Sequence, residues 1–382
     1  MEIKYVGFYD RLRDGKQYRN YSLAAAKKMD FITSVLTEAG YHVRYISPAF
    51  IKEKGTKKMG AVRENVSDSV ILELPPSRES RNKLDKVIRV IQSQLWLFYY
   101  LIKNTKKNEP VLIYHNYNIA IPVILAKKIK GFHIILEVEE KYSKVWRLTK
   151  AQKFEEHVLL KYVNNDSLFV SEILAKEFGV TDPVISYGSY NLYKGEIAEK
   201  CIGKSVILSV TGLIDSDRGS GFVAIEMMKY LPDNYFLKIS GPVASKDRDE
   251  FFKQIHEMNK ALERTACEYL GVLDDTNYER LLLSTDIALN PQRDGEFGKY
   301  VFPSKILTYF SYGIPVVSTR GISIVNSQIA DLINFADSYD ARDVANAVVN
   351  VKPKAPSVYQ NRLKDLRAKF SERMVKTIKS KC

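Results

Sequence analysis

The sequence predicts an α/β protein of two doubly wound domains, each built on a mostly parallel sheet. Three observations predict it. Short β-branched apolar runs alternate with helical-period segments along nearly the whole chain. That alternation lapses between Ser189 and Gly203 and then resumes. The chain has 382 residues, enough for more than one core.

The elements follow in order. "IKYVGFYD" reads as a buried strand, followed by the polar loop from Arg11 to Tyr21 with Arg11, Arg13 and Arg19. "SLAAAKKMDFITSVLTEAG" has helical spacing and stops at Gly40, and "YHVRYISP" is the next strand, which completes a βαβ unit. "SVILELP" (strand), Asn82 to Lys106 (helix), "PVLIYHN" (strand), "IAIPVILAKKIKG" (helix) and "FHIILEVEE" (strand) continue it. "KFEEHVLLKYVNN", "DSLFVS", "EILAKEFG" and "PVISYG" close a first domain over 1–188. Residues 189–203 are a linker. A second domain over 204–355 runs "SVILSVTGL", "GFVAIEMMKYLP", "NYFLKISGP", "DEFFKQIHEMNKALERT", "CEYLGVL", "NYERLLLST", "DIALNP", a helix after Pro303, and "IPVVST". The basic helical tail, 356–382, has the composition to pack back on the first domain.

Composition narrows the class. Hydrophobic residues make up 45%, so the chain is globular. No apolar run reaches the roughly 18 residues of a spanning helix, and "MEIKYVGFYD" lacks the pattern of a secretory leader. Three dispersed cysteines make neither a disulfide framework nor a metal pair, as expected in a reducing cytoplasm. The net charge of +13 favours anionic partners: nucleic acid, anionic lipid or phosphorylated substrates. No helix-turn-helix, zinc-finger or RNA-binding signature appears, so nucleic acid is not expected. The segment from Arg78 to Asn108 has basic ends around Leu95, Trp96, Phe98 and Leu101. The aromatics fit the core side of a buried helix; the flanking charges fit an anionic membrane.

Ligands of open α/β sheets sit beyond the carboxyl ends of strands, so loops just after strands hold the candidates. The turn from Thr211 to Gly221 contains Gly212, Arg218 and Gly219 ahead of a helix. Its backbone N–H groups and guanidinium suit a phosphate, although an ordinary glycine-rich turn has the same look. Asp215-Ser216-Asp217 also spells a possible metal-binding triplet, with Arg218 competing for the same anion, and no metal site is assigned. In "FPSKILTYFSYGIP", Pro303 and Ser304 suit a helix start and Gly313 a helix end. Ser304, Lys305 and Thr308 share one side of it, as an anion cradle or as a plain capped helix. In the long loop before it, Asp294 and Glu296 are placed to meet sugar hydroxyls. In the first half, His115 follows "PVLIY", and Glu137, Glu139 and Glu140 end "FHIILEVEE".

These segments resemble retaining GT-B glycosyltransferases of the family 4 type. "ERLLLSTDIALNPQ…FPSKILTYFSYGIPVVST" is similar to that family's strand, loop, helix and Gly-x-Pro-Val-Val block, and "SVTGLIDSDRGSGFVAIEMM" to its Gly-Arg-Leu…Lys-Gly turn. The resemblance implies two Rossmann-like domains facing an interdomain cleft. It implies a sugar moved from a nucleotide diphosphate, with retention, to a saccharide or polyprenyl-diphosphate-linked acceptor in surface polysaccharide synthesis. It implies catalytic roles for Arg218, Lys305, Glu139 and His115. Donor contacts would come from Gly212, Gly219, Glu296, Phe297, Gly298, Pro303, Ser304 and Thr308, and acceptor contacts from Arg11, Arg13, Arg19 and Glu140. No cofactor is expected besides the nucleotide sugar. The protein is expected in the cytoplasm, at the inner face of the plasma membrane.

The chain departs from the family pattern. Two acids eight positions apart are usual there; Tyr300 and Thr308 stand in their places, with Glu296 as a nearby substitute. Leu213 replaces an arginine, Arg218 stands for a lysine, and Glu139 for a histidine. A catalytically weak homologue serving as a partner subunit is the alternative these departures motivate.

Overall fold

A computed structural model describes residues 1–13, 16–52, 55, 58–199, 203–293 and 295–381; the side chain of Phe297 also lies outside the described residues. The chain divides into two units. The first is Met1–Val170, Leu174–Ser189 and Lys369–Cys382; the second is Ser171–Ile173 and Tyr190–Ala368.

The first unit carries β1 (Glu2–Val6), β2 (His42–Ile46), β3 (Val62–Ser67), β4 (Val70–Leu74), β5 (Pro110–Tyr114), β6 (His133–Val138), β7 (Leu168–Phe169) and β8 (Val184–Ile185). They form one sheet in the order β8-β7-β6-β5-β1-β2-β4-β3. All neighbours are parallel except β3, which runs antiparallel to β4 with an irregular register between Asn65 and Ser67. β3 alternates half-buried and exposed residues, as a polar edge strand does. Sequence periodicity did not reveal it, because "VRENVS" has only two apolar residues.

Helix α1 (Leu23–Glu38) starts where Ser22 Oγ accepts from Ala25 N at 3.4 Å, and it buries Met29, Phe31, Ile32, Val35 and Leu36. Helices α2 (Lys83–Asn104), α3 (Ala120–Lys130) and α4 (Lys150–Leu160) follow, with α2 packed on α3. On α2, Leu97 and Leu101 are enclosed, but Trp96 and Phe98 are only half-buried. The expected core placement thus holds for Leu101 and not for those two aromatics.

The second unit has β9 (Val206–Thr211), β10 (Tyr235–Ser240), β11 (Cys267–Tyr269), β12 (Ile287–Asn290), β13 (Val316–Ser318) and β14 (Ile333–Phe335). Its sheet is wholly parallel, in the order β11-β10-β9-β12-β13-β14. Counted from β9, that is the 3-2-1-4-5-6 order of a Rossmann fold. Direction of winding reverses between β9 and β12, where Leu208 faces Ile287 and Ser209 faces Ala288. Both strands are largely buried on both faces, which suits a sheet covered on two sides. Val206, Leu208, Val210, Ile239, Leu289 and Val317 form its core with α5 (Ser220–Met227), α6 (Arg248–Ala261) and α9 (Ala341–Val349). Helices α7 (Asp275–Ser284) and α8 (Lys305–Ser311) complete the unit's main elements. β14 and α9 went unread in the sequence; a three-residue strand is too short to show a period.

The last helix, α10 (Pro356–Lys379), contributes its first half to the second unit and its second half to the first. Within the first unit, Phe370 is buried with its ring 5.4 Å from that of Phe31, and Arg373 pairs with Asp182 at 2.6 Å. Phe370→Ala should therefore cost about 3–5 kcal/mol. Urea unfolding with a probe in the first unit measures this, and an unchanged midpoint would show that Phe370 is not part of that core.

Candidate active site

The second unit gathers its chemistry at the reversal point of the sheet. β9 ends at Thr211, and Gly212 turns the chain with φ 104°. Gly241, at the end of the neighbouring β10, lies so close that a Cβ on it would stand 1.9 Å from the Gly212 carbonyl oxygen. Two backbones thus meet with no room for a side chain at Gly241, and the strand-end backbone stays uncovered.

Thr211 is held by two tyrosines. Tyr309 on α8 places its hydroxyl 2.8 Å from Thr211 Oγ1 and 3.2 Å from Thr211 N, and Tyr278 on α7 reaches Oγ1 at 3.3 Å. Lys305, the first residue of α8, donates its ammonium to the Thr211 carbonyl at 3.2 Å. No carboxylate pairs with Lys305 among the described residues. Burial, and then the nearby Arg218 charge, push its pKa down to about 8. The side chain is only half-buried by surface area, so the shift reflects packing around the ammonium more than full enclosure.

Arg218 lies on the turn after Gly212. Its backbone N–H donates to Asp215 Oδ1 at 2.7 Å, and its Nε stands 3.4 Å from Asp215 Oδ2. Asp217 pairs with Lys246 at 2.8 Å. Both acids of the Asp-x-Asp triplet are thus turned to cations. Gly219 precedes α5 with φ 72°. Tyr339 donates to its carbonyl at 2.8 Å, and a Cβ here would lie 1.9 Å from that hydroxyl and 3.0 Å from Arg293 Nε.

Arg293 is the residue that sequence reasoning missed. It lies three residues beyond the last residue of β12, its N–H donates to the Arg218 carbonyl at 3.1 Å, and its guanidinium lies 5.4 Å from the Tyr339 ring centre. Its place in the loop just after the strand at the reversal of winding was the available signal. Lys305, Arg218 and Arg293 therefore surround the Thr211–Gly219 turn with positive charge.

Other expected donor contacts are less gathered. Glu296 is exposed at the start of a short helix, Glu296–Tyr300. Gly298 is buried, and its carbonyl accepts from Ser323 at 2.9 Å. Thr308 is half-buried on α8. α8 starts later than the sequence suggested: Pro303 and Ser304 precede it, and the exposed Ser304 does not cap it. Tyr300 is buried. Asp294 and the Phe297 side chain lie outside the described residues.

The first unit's strand ends tell a different story. Lys28 on α1 pairs with Glu139, stands 3.7 Å from Glu137, and donates to the Ser186 carbonyl at 2.7 Å. Tyr5 donates to Glu137, whose carboxyl is pushed up by burial first and by Glu139 second, against the pull of Lys28. Trp146 donates to Glu140 at 3.2 Å. Arg11 is exposed and Arg13 half-buried; both reach Glu64, at 3.3 and 2.8 Å, and Arg13 also reaches Asp10 at 3.3 Å.

Two expectations need correction. Arg19 is completely enclosed, bonded to the Ala49 carbonyl at 2.6 Å and facing Asp10 at 3.7 Å, so it braces the loop and offers nothing to an acceptor. His115 is completely enclosed against the Tyr142 ring, 4.9 Å away, and burial lowers it to about 3. The Glu140 backbone pulls weakly the other way, but neither ring nitrogen makes a well-formed hydrogen bond. His115 is thus neutral and shielded from solvent, not a catalytic group presented at a strand end. A cavity of about 490 Å³ opens elsewhere in this unit, against Glu2, Arg44, Glu73 and Trp96, but Arg44 already pairs with both acids, at 2.6 and 2.7 Å.

Each unit is Rossmann-like, and together they define the GT-B class of glycosyltransferase fold. Among solved structures, the apo lipopolysaccharide outer core galactosyltransferase WaaB is similar over 100% of both chains, with TM-score 0.63 and 13% identity. HepE of Anabaena, solved in complex with UDP and glucose, is similar over 100% of both chains, with TM-score 0.59 and 11% identity. AviGT4, a glycosyltransferase of avilamycin A biosynthesis, is similar over 99% of this chain and 97% of its own, with TM-score 0.59 and 14% identity. At such identities the likeness is one of fold. No family model matches the chain, and no curated protein matches it.

Because Tyr339 caps Gly219 so closely, Gly219→Ala should destabilise by more than the roughly 1 kcal/mol expected of a left-handed alanine. Combining it with Tyr339→Ala should recover part of that loss. A double-mutant cycle by thermal unfolding measures the coupling, and strict additivity would refute the contact.

Proposed function

We propose that the protein is a retaining glycosyltransferase of the family 4 kind, moving a sugar from a nucleotide-diphosphate donor to a saccharide or polyprenyl-diphosphate-linked acceptor. The observation that carries this is the pairing of Lys305 and Arg218 beside the Thr211–Gly212 strand end, where β9 and β12 diverge. Anions bind at such switch points. Among the described residues Lys305 has no carboxylate partner, and a diphosphate would supply a counter-charge.

The chemistry follows from the leaving group. The bond from the anomeric carbon to the diphosphate oxygen breaks, and negative charge grows on the terminal phosphate. Lys305 and Arg218, held in place before reaction, stabilise that charge. The acceptor hydroxyl attacks from the same face, forms the new carbon–oxygen bond, and passes its proton to the departing phosphate. Fixed cations supply the electrophilic assistance, with no metal required. Arg293 extends the positive rim, Thr308 meets the ribose hydroxyls, and Glu296 meets the donor sugar. The acceptor contacts fall to Arg11, Arg13 and Glu140 in the first unit, with Glu139 in a catalytic role beside them. The setting is surface polysaccharide synthesis in the cytoplasm, at the inner face of the plasma membrane. Among the described residues, no helix is long and apolar enough to cross a membrane. Thr308 and the buried Tyr300, where acids are usual, favour the second reading: a weakly active partner subunit.

Arg218→Ala and Lys305→Ala should each weaken uridine diphosphate binding about tenfold or more, with little change in melting temperature. Each should lower transfer by about 10²–10³. Calorimetry and donor turnover measure these, and unchanged affinity in both variants would misplace the site. Absence of turnover with every nucleotide sugar tried, alongside capture of a second transferase, would instead establish the partner-subunit reading.

The pH dependence has a definite sign. The free enzyme's Lys305 loses its proton near pH 8, and a bound diphosphate raises that pKa. Affinity should therefore be level from neutral pH up to about 8 and fall above it, by at most about tenfold per pH unit. Lys305→Ala should flatten the profile.

A further inference from the structure

Helix α2 is built inside out. Its buried residues are Asp85, Arg89, Ser93, Leu97 and Leu101, so polar groups dominate the inward side of its first three turns. Each has a partner there. Asp85 accepts from Arg78 at 2.8 and 2.9 Å, Arg89 donates to the Arg78 carbonyl at 3.2 Å, and Ser93 donates to the Pro48 carbonyl.

The opposite side is apolar and open to solvent. Leu84, Val87, Ile88, Ile91, Leu95 and Tyr99 are 71, 54, 44, 52, 50 and 65% exposed. At 100° per residue they fall within an arc of about 120°. The stripe runs along a helix of 22 residues, about 33 Å. Leu125 and Ile129 of α3, which packs on α2, widen it at 47 and 66% exposure. A continuous apolar face of this extent marks a contact surface.

The flanking charge selects the occupant. Lys83 is exposed at one edge of the stripe, Lys103, Lys106 and Lys107 at its far end, and Lys128 on α3. The nearby acids are engaged: Asp85 with Arg78, and Glu109 with Lys4. A second copy of this face would set lysines against lysines whether the two helices ran parallel or antiparallel. An anionic bilayer meets both demands, taking the stripe at the acyl boundary and the lysines among its headgroups.

We propose that α2 lies flat on an anionic membrane surface, apolar stripe inward to the lipid. This deepens the membrane-face part of the proposed function and does not rest on the transfer reaction, which donor binding tests separately.

Flotation of the full chain with vesicles tests it. The protein should float with phosphatidylcholine containing phosphatidylglycerol, stay behind with phosphatidylcholine alone, and release at high salt. The triple variant Leu84→Gln, Ile91→Gln, Leu95→Gln should lose binding by at least about tenfold while keeping its melting temperature and uridine diphosphate affinity. A second variant, Lys83→Gln, Lys103→Gln, Lys107→Gln, should bind more weakly and with less salt sensitivity. Wild-type protein that ignores anionic vesicles overturns the proposal. So does a triple variant that floats like wild type, or a solution dimer that the triple variant dissolves while vesicles capture neither form.

Discussion

The site hangs on one strained bargain: an ammonium held against a carbonyl, with no carboxylate paired to it among the described residues. Removing a charge from water is costly, and a single carbonyl oxygen offsets only part of it. Lys305 nevertheless stays where it is, because Tyr309 on the same helix anchors α8 to the backbone of Thr211. The lysine and its acceptor are thus tied together by a separate bond between the same two elements. Arg218 stands close enough to make the electrostatics worse, not better.

The first unit solves the same problem the other way. Its buried charges are matched within the protein, as Lys28 is by Glu139 and Glu137, and Arg19 by Asp10 and the Ala49 carbonyl. Such networks fix strand ends and loops, although Arg19 Nε and Nη2, Asp10 Oδ2 and Glu137 Oε1 keep no hydrogen-bond partner. The contrast separates a unit whose strand ends are braced by ion pairs from one whose strand end holds a lysine with no carboxylate partner among the described residues.

Much of this was written in the sequence, and the exceptions have physical causes. Parallel strands buried on both faces, such as "VILSVT", announce themselves because they carry a β-branched apolar run with no charge in it. Edge and short strands such as β3 and β14 do not, since pairing and not composition defines them. Arg218 drew notice because it sits beside Gly219 in the turn after a strand, and Lys305 because Pro303 and Ser304 mark a helix start. Arg19 and His115 were misjudged for one shared reason: sequence position after a strand says nothing about whether a later segment covers the side chain. α2 was legible as amphipathic, but not as inverted, because periodicity locates a stripe without saying which way it faces. Arg78 and Pro48, remote from the helix in sequence or outside its pattern, decide that by satisfying its polar side.

The C-terminal helix sets the order in which the molecule can be made. Phe31, in α1, closes its core against Phe370, which is synthesised only after the whole of the second unit. The first unit therefore lacks part of its core while the second is being made, although domains generally fold in the order they emerge. The second unit is contiguous but for three residues. Chain order and core completion thus run opposite ways here: the unit that emerges earlier is the one whose core waits for the later-made segment.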